Sequence, residues 1–504
     1  MKKWIIFASL ILFSSASLAA GNHTQDTPPL YGNEHSASEE TDRDLHTGND
    51  ALLIDPAFVS MPTKSAPVRR LSASAPVRTS GYDHVTETDM DSIFSVYDRP
   101  DNPGCAVGVS SIGNPIFAKG YGSANLDYGI PIRPDSRFMI ASISKQFAAA
   151  SVLMMAQEGL LDLDEDLRTY IPELPEFDKP ITARQIIHHT SGLRDIYNLL
   201  SLADIGLDNT TTKEEALAML GRQQRLNFEP GSEHLYSNSG YFLISVLSEK
   251  VTGMPLREYT QKHFFDPIGM TDTHWHDITE MIVPNRVISY LPTSRGPGQF
   301  YRGNMDRIGA RGLFTTIEDF AKWDANFIEN RSNLENFAEI MTRPGSTHRR
   351  DSINYAAGLR LGRYKDIETV GHGGSYMGFR TSYMRFPAHD FSVMVFCNHS
   401  DISPATHARQ VADLYLRDAF SERFAEYLAE YRSESLEVAF DVFLEDGDLY
   451  LQRHDEEPRR LIWSEEDRFR TGQWDLRFER DDNEDIDRFI LEAPRTGKIT
   501  FRRE

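Results

Sequence analysis

Cysteine is nearly absent: among 504 residues only Cys105 and Cys397 occur. Two cysteines cannot build a disulfide framework or a zinc ribbon. Both lie in apolar, strand-like runs, so buried free thiols are the default reading, and an oxidising compartment leaves a single bridge open. Positive charge is also short. Lys and Arg number 53 against 75 Asp and Glu, a formal net charge of -22. Phosphate-binding chains need basic patches, so nucleic acid is excluded as a partner. An anionic membrane surface is disfavoured on the same ground, and the acidity reads as an aid to solubility. Long apolar runs are missing too. The mostly apolar stretch from Trp4 to Phe13 is too short to span a bilayer and no later segment approaches the needed length, so no stable membrane insertion is expected.

That early stretch has another reading. Met1-Lys2-Lys3, the apolar run and the small residues ending Ser17-Leu18-Ala19 follow the order of a secretory signal peptide over residues 1–19. A secreted or periplasmic protein is expected. Residues 20–84 are rich in Ser, Thr, Pro, Asp and His, and Ser65-Ala66-Pro67-Val68-Arg69 recurs as Ser74-Ala75-Pro76-Val77-Arg78. Such a stretch buries too little apolar surface to offset its ordering entropy, so it reads as a disordered linker.

Two ordered regions follow, 85–420 and 421–504, as the length requires more than one core. Strands are expected at Cys105–Ser110 and Pro115–Gly120, and at Phe379–Phe386 and Phe391–Asn398 around the turn Pro387–Asp390. An apolar helix is expected from Ser142, another at Ala183–His189 capped by Thr182, a third after Thr316, and a closing one at Ala405–Phe420. Strands, helices, strands and a helix suggest an antiparallel sheet packed with helices. In the last region five strands, Glu437–Phe443, Leu449–Gln452, Leu476–Glu479, Arg488–Glu492 and Ile499–Arg502, suggest a small barrel or sandwich.

Chemistry concentrates in three places. Ser142-Ile143-Ser144-Lys145 is an S-x-x-K pattern, and Ser142 is the only serine with a lysine three positions on. On one helix the two side chains share a face. A helix start would put the hydroxyl near unpaired N–H groups and the positive end of the dipole. Serine is a poor nucleophile until a neighbour takes its proton, and Lys145 serves only if burial lowers its pKa from about 10.4. Tyr236-Ser237-Asn238 is a Y-x-N triplet, weak alone because Tyr31-Gly32-Asn33 matches it too. His372-Gly373-Gly374-Ser375 precedes the late hairpin, where glycine permits a close approach to a sheet edge. No window fits the G-x-S-x-G elbow. Neither His188-His189 nor His274-Trp275-His276 has zinc-ligand spacing, so no metal and no cofactor is expected.

In this order the three elements resemble the serine β-lactamase and penicillin-binding protein family. Its class C enzymes have relatives among D-amino-acid peptidases and carboxylesterases. Further matches are His189-Thr190-Ser191-Gly192-Leu193, Gly269-Met270-Thr271-Asp272-Thr273 and Gly312-Leu313-Phe314-Thr315-Thr316. The resemblance spans about residues 85–420. Residues 421–504 are similar to the lipocalin-like β domain that trails some of these hydrolases, notably in Leu449-Tyr450-Leu451 and Leu476–Arg480. The implied fold is α+β and β-lactamase/transpeptidase-like: a five-stranded antiparallel sheet flanked by helices, a helical subdomain, and a small all-β C-terminal domain.

The resemblance implies a serine hydrolase. Ser142 forms an acyl-enzyme, while Lys145 and Tyr236 share the proton work, with the acylation base left open between them. Tyr236 would need its pKa lowered by the Lys145 charge. Asn238, His372, Gly374 and Ser375 become substrate-binding residues, with the N–H groups of Ser142 and Ser375 as the oxyanion hole. Many relatives carry a lysine where this chain has His372. A largely neutral histidine reaches less far toward a carboxylate, which shifts the expected substrate from β-lactams to D-amino-acid-containing peptides. A carboxylesterase and a non-catalytic cell-wall peptide or penicillin-binding protein are the alternatives. The expected partner is a small molecule or peptide substrate, and oligomerisation stays open.

Overall fold

A computed structural model describes residues 82, 84–206, 211–299, 307–454 and 456–504. The signal peptide and nearly all of the linker lie outside the described residues. Six strands make the central antiparallel sheet: β1 (Cys105–Ser111), β2 (Asn114–Tyr121), β3 (Arg360–Tyr364), β4 (Ile367–Tyr376), β5 (Phe379–Phe386) and β6 (Phe391–Cys397). Their order is β3-β4-β5-β6-β1-β2. This is one strand more than expected, because the short β3 joins the edge. Its all-intermediate burial hides the alternation that would mark a strand.

Both central strands β1 and β6 are buried on both faces. Alternate residues therefore feed two different cores. Ala106, Met394 and Phe396 face the larger one, built with the helices of the subdomain. Cys105, Val107, Val109, Val393, Val395 and Cys397 face the second, closed by the helix Pro404–Tyr415. Each such side chain stabilises the fold by about 1.5–3 kcal/mol. The expected helix Ala405–Phe420 is two helices, Pro404–Tyr415 and Arg417–Phe424, with Leu416 as the break.

The free-thiol reading is overturned. Cys105 and Cys397 are directly opposed in the β1–β6 register and form a disulfide across 292 residues of sequence. Cross-strand neighbours bring their Cβ atoms to bonding range, whereas the chain separation gave no hint of it.

Five helices serve the site: α1 (Lys145–Gln157), α2 (Ala183–Ile187), α3 (Ile196–Leu202), α4 (Asn238–Thr252) and α5 (Ile317–Glu329). Thr182 caps α2 in a full capping box with Gln185, and Thr316 caps α5 through the Asp319 N–H. Helix α1 is buried over most of its circumference from Lys145 to Met155. The Phe147 and Trp323 rings lie 4.1 Å apart, and the Trp323 indole donates to Gln146 Oε1 at 2.6 Å. These contacts hold the start of α1 rigid from behind. Among the described residues no helix is long and apolar enough to cross a membrane.

Eight strands from Ala429–Ser433 to Gly497–Arg503 close into a barrel. Its interior takes alternate residues of each strand, including Leu449, Leu451, Leu476, Phe478, Phe489 and Phe501. Three strands escape the sequence pattern: Ala429–Ser433, Arg459–Glu465 and Arg468–Thr471. Their exposed Arg and Glu outnumber the inward apolar residues. The β3–β4 turn meets the barrel through Lys365, which bridges Asp413 at 2.8 Å and Asp448 at 2.7 Å.

Candidate active site

The nucleophile candidate does not start an α-helix. Ala141–Ser144 is a 3-10 turn, and α1 begins at Lys145. Ala141 has φ 49°, a left-handed conformation that turns the chain sharply out of the preceding strand. Gln146 Nε2 donates to the Ile143 carbonyl and Thr381 Oγ1 donates to that of Ile140 at 3.0 Å, so both ends of the turn are held. Ser142 is 9% exposed at the surface of this turn.

Gly374 explains how closely β4 approaches. A Cβ there would lie 2.2 Å from Thr381 Oγ1 and 2.4 Å from the Ile140 carbonyl oxygen. The glycine thus seats the strand against the turn that carries Ser142. A substrate contact, the expected role, is not what its space is filled by. Gly358 does the same behind Lys145, where a Cβ would be 2.5 Å from the Lys145 carbonyl carbon. No pattern in the sequence marked it.

Lys145 is fully buried. Its Nζ lies 3.2 Å from Ser142 Oγ, 2.9 Å from Asn238 Oδ1 and 2.8 Å from the Ala310 carbonyl oxygen. Burial holds its ammonium well below the ordinary lysine range. Asp195 opposes that shift, and the Arg360 and Arg311 charges add to it.

Asn238 is oriented by Asp195, a residue the motifs did not flag. Asp195 Oδ2 accepts from the Asn238 backbone N–H at 2.6 Å and from Nδ2 at 2.8 Å. A carboxylate only accepts, so Nδ2 must face it and Oδ1 must face Lys145. Through Oδ1 the same carboxylate caps α3, accepting from Tyr197 N and Asn198 N. One side chain thus ties the starts of α3 and α4 to the lysine.

The Tyr236 ring lies 4.8 Å from Lys145 Nζ, and its hydroxyl bonds to that of Ser142. Its pKa is not lowered, as the sequence reading required. Burial pushes it well up, with the Ser142 bond and the Arg360 charge only partly opposing. The reason is that the same burial that disfavours the Lys145 cation disfavours the Tyr236 phenolate. His189, 2% exposed, packs on Tyr236 at 4.3 Å between ring centroids and accepts the Ser237 N–H through Nδ1.

His372 faces inward. It is 2% exposed, with Nδ1 2.6 Å from the Gly373 carbonyl oxygen and Nε2 3.2 Å from the Tyr355 hydroxyl. A carbonyl only accepts, so Nδ1 carries the proton and Nε2 receives the Tyr355 hydroxyl's. Both ring nitrogens are engaged within the protein. Burial, reinforced by the Arg360 charge, holds its pKa well below the ordinary histidine range. The substrate contact expected of it is therefore not available in this arrangement. Ser375 follows on β4 beyond the reach of β3, which pairs only with Ile367–Gly371. Among the described residues no strand pairs with His372–Tyr376 on that side.

A buried serine, a lysine of depressed pKa and a protonated tyrosine beside a strand edge unpaired among the described residues, on a helix-flanked antiparallel sheet, define a protein of the β-lactamase/transpeptidase fold. Residues 90–416 match the beta-lactamase family, and the chain belongs to it. It is 27% identical over 316 residues to a D-aminopeptidase of Gluconobacter oxydans, covering 62% of this chain and 59% of that one. It is 24% identical over 310 residues to penicillin-binding protein 4* of Bacillus subtilis, covering 57% and 66%. The chain thus spans about 60% of the length of the D-aminopeptidases it matches. Similar folds are the D-amino acid amidase of Ochrobactrum anthropi SV3 (TM-score 0.56, 22% identity, 67% of this chain and 99% of that one) and an octameric penicillin-binding protein homologue of Pyrococcus abyssi (TM-score 0.54, 22% identity, 79% and 96%).

Proposed function

We propose that the protein is an exported serine hydrolase that cleaves amide bonds of D-amino-acid-containing peptides through an acyl-enzyme on Ser142. The observation that carries this reading is the set of partners around Lys145. A neutral amine has two N–H groups and one lone pair. Asn238 Oδ1 and the Ala310 carbonyl only accept, so they take both N–H groups. The third contact, where the charged amine donates to Ser142 Oγ at 3.2 Å, is where the lone pair falls once that proton is gone.

Lys145 is then the acylation base. As Ser142 Oγ bonds to the substrate carbonyl carbon, its proton passes to Lys145 Nζ. Tyr236, held as a phenol, hands its proton to the departing amine as the C–N bond breaks, and the proton on Lys145 passes to the resulting phenolate. Water then attacks the acyl carbon while Lys145, neutral again, takes one of its protons, and that proton passes to Ser142 Oγ as the ester C–O bond breaks and the acid leaves. The N–H groups of Ser142 and Ser375 serve the developing oxyanion. The free edge of β4 accommodates an extended peptide.

The D-aminopeptidase relatives support the substrate class, and the buried, self-satisfied His372 argues against the β-lactam carboxylate as its ligand. The signal-like N-terminus and the Cys105–Cys397 disulfide support export. D- and L-amino-acid amides, p-nitrophenyl esters and a chromogenic cephalosporin, assayed in parallel with intact mass spectrometry, test the reading. D-amide turnover with an acyl adduct on Ser142 is expected. Inertness to all of them without an adduct would sink it, and recovery in the cytoplasmic fraction would sink export.

A further inference from the structure

Helix α2 ends where the chain reverses at His189. The Thr190 N–H donates to the Gln185 carbonyl at 2.9 Å, and the His189 N–H to that of Ile186 at 3.4 Å. This pair of bonds goes with a left-handed residue between them, and His189 has φ 58°. Glycine or asparagine is what such a position favours, because larger side chains are crowded there. A histidine at this point is a local cost that the helix end does not require.

Its neighbours show what the side chain does instead. The His189 carbonyl accepts from the Leu235 N–H at 3.0 Å, and Nδ1 accepts from the Ser237 N–H at 3.2 Å. The residues just before and just after Tyr236 are thus both bonded to this one residue. Its ring packs on the phenol between them, 4.3 Å from centroid to centroid. A backbone N–H only donates, so Nδ1 is unprotonated and Nε2 carries the proton. That Nε2 is buried and has no hydrogen-bond partner among the described residues. The Tyr355 and Tyr241 rings lie 4.6 Å and 5.1 Å from the imidazole, centroid to centroid. Burial holds the pKa of His189 well below the ordinary histidine range, so the acceptor at Nδ1 persists at neutral pH. A left-handed histidine with an unpaired buried N–H is costly twice over. Both costs fall on the residue that brackets Tyr236.

We infer that His189 is the positioning residue of Tyr236, fixing its phenol at Ser142, and thereby suits the site to amide rather than ester leaving groups. The inference rests on the reading of Tyr236 as the acid that protonates the departing amine. An amine is too basic to leave as an anion, so the C–N bond breaks only with a proton supplied. A nitrophenolate leaves without one. Displacing the phenol therefore slows amide cleavage far more than cleavage of an activated ester. His189 itself moves no proton; it acts through Tyr236.

The test compares kcat/KM for D-alanine amide and for the p-nitrophenyl ester of D-alanine in the full-length protein. Both carry the same acyl group, so their ratio isolates the leaving group. Tyr236→Phe should lower the amide-to-ester ratio by about 10²-fold. His189→Gly suits the left-handed backbone but removes the ring and its acceptor, and should lower the ratio by at least about tenfold. His189→Asn keeps an acceptor at Oδ1 and tolerates the same backbone, so its ratio should stay within about threefold of wild type. Because each ratio is taken within one protein, partial misfolding does not move it. A fluorinated tyrosine at position 236 reads the same role without turnover. Wild type and His189→Asn should give one narrow fluorine resonance, and His189→Gly a broadened or split one. A ratio lowered by Tyr236→Phe but not by His189→Gly, or a narrow resonance in His189→Gly, would overturn the inference. A ratio that Tyr236→Phe leaves unchanged would overturn Tyr236 as the acid and the leaving-group claim with it. An inert wild type without an acyl adduct, with the resonance still broadened in His189→Gly, would overturn the hydrolase reading and leave the positioning role supported.

Discussion

The hydrolase-like region and the barrel bury polar groups in opposite ways. In the barrel the interior is aromatic and aliphatic, and buried hydroxyls are quenched locally: Tyr431 donates to the Tyr427 carbonyl and Tyr427 to Asp467. Its many ion pairs, such as Arg468–Asp475 and Arg488–Glu479, ring the outside. Beside Ser142 the pattern is inverted. Lys145, His189, Asn238, Arg311 and His372 are all buried, and the lysine's pKa is depressed where an ion pair would normally raise it. Buried polar groups that are fully quenched give shape, whereas those held away from their stable state can react.

That contrast is open to attack by mutation. The largest effect is expected from Ser142→Ala, which should abolish both fluorophosphonate labelling and amide hydrolysis. Labelling that persists would place the nucleophile elsewhere. Lys145→Met should follow with a loss of about 10²–10⁴-fold in kcat. Its pH behaviour is the sharper readout. Because burial depresses the folded pKa of Lys145, the unfolded chain binds a proton that the folded one does not. Stability from this group therefore rises with pH toward the unfolded value near 10.4 and is lost as pH falls. Denaturant melts of wild type and Lys145→Met should diverge as pH rises toward 10, by up to about 1.4 kcal/mol per pH unit, with wild type gaining. Parallel curves would mean that the lysine stays charged.

Asp195→Ala removes the carboxylate that both caps α3 and orients Asn238. About 10²-fold in kcat is expected from misplacing the lysine. The lost caps cost about 1–2 kcal/mol of stability by thermal melt. A purely structural residue would show the second effect without the first. The smallest effect on chemistry should come from the barrel. Phe489→Ala empties part of its core and should cost about 3–5 kcal/mol, while kcat per folded molecule stays at the wild-type value. A matching fall in kcat would show that the barrel shapes the site.

The legible and illegible parts divide along the same line. Strands β1, β2, β5 and β6 announced themselves because apolar runs between turn residues are a local signal. The caps Thr182 and Thr316 were legible for the same reason. The missed β3 and three barrel strands are short and have mixed burial. In the site, Ser142, Lys145, Tyr236 and Asn238 stood out through motif spacing. Asp195, Gly358, Tyr355 and Arg311 lie outside any motif and matter through contacts with residues 17 or more positions away in the chain.

By itself the sequence determined the family, the order of elements and the identities of the groups brought to Ser142. These depend on local patterns and on residue types that no folding changes. Only the tertiary structure decided their states. Burial depressed the pKa of Lys145 and kept Tyr236 a phenol, cross-strand register joined Cys105 to Cys397, and Tyr355 with the Gly373 carbonyl turned His372 inward. Protonation, pairing and orientation are set by the neighbours a group meets in space, and those neighbours are distant in the chain.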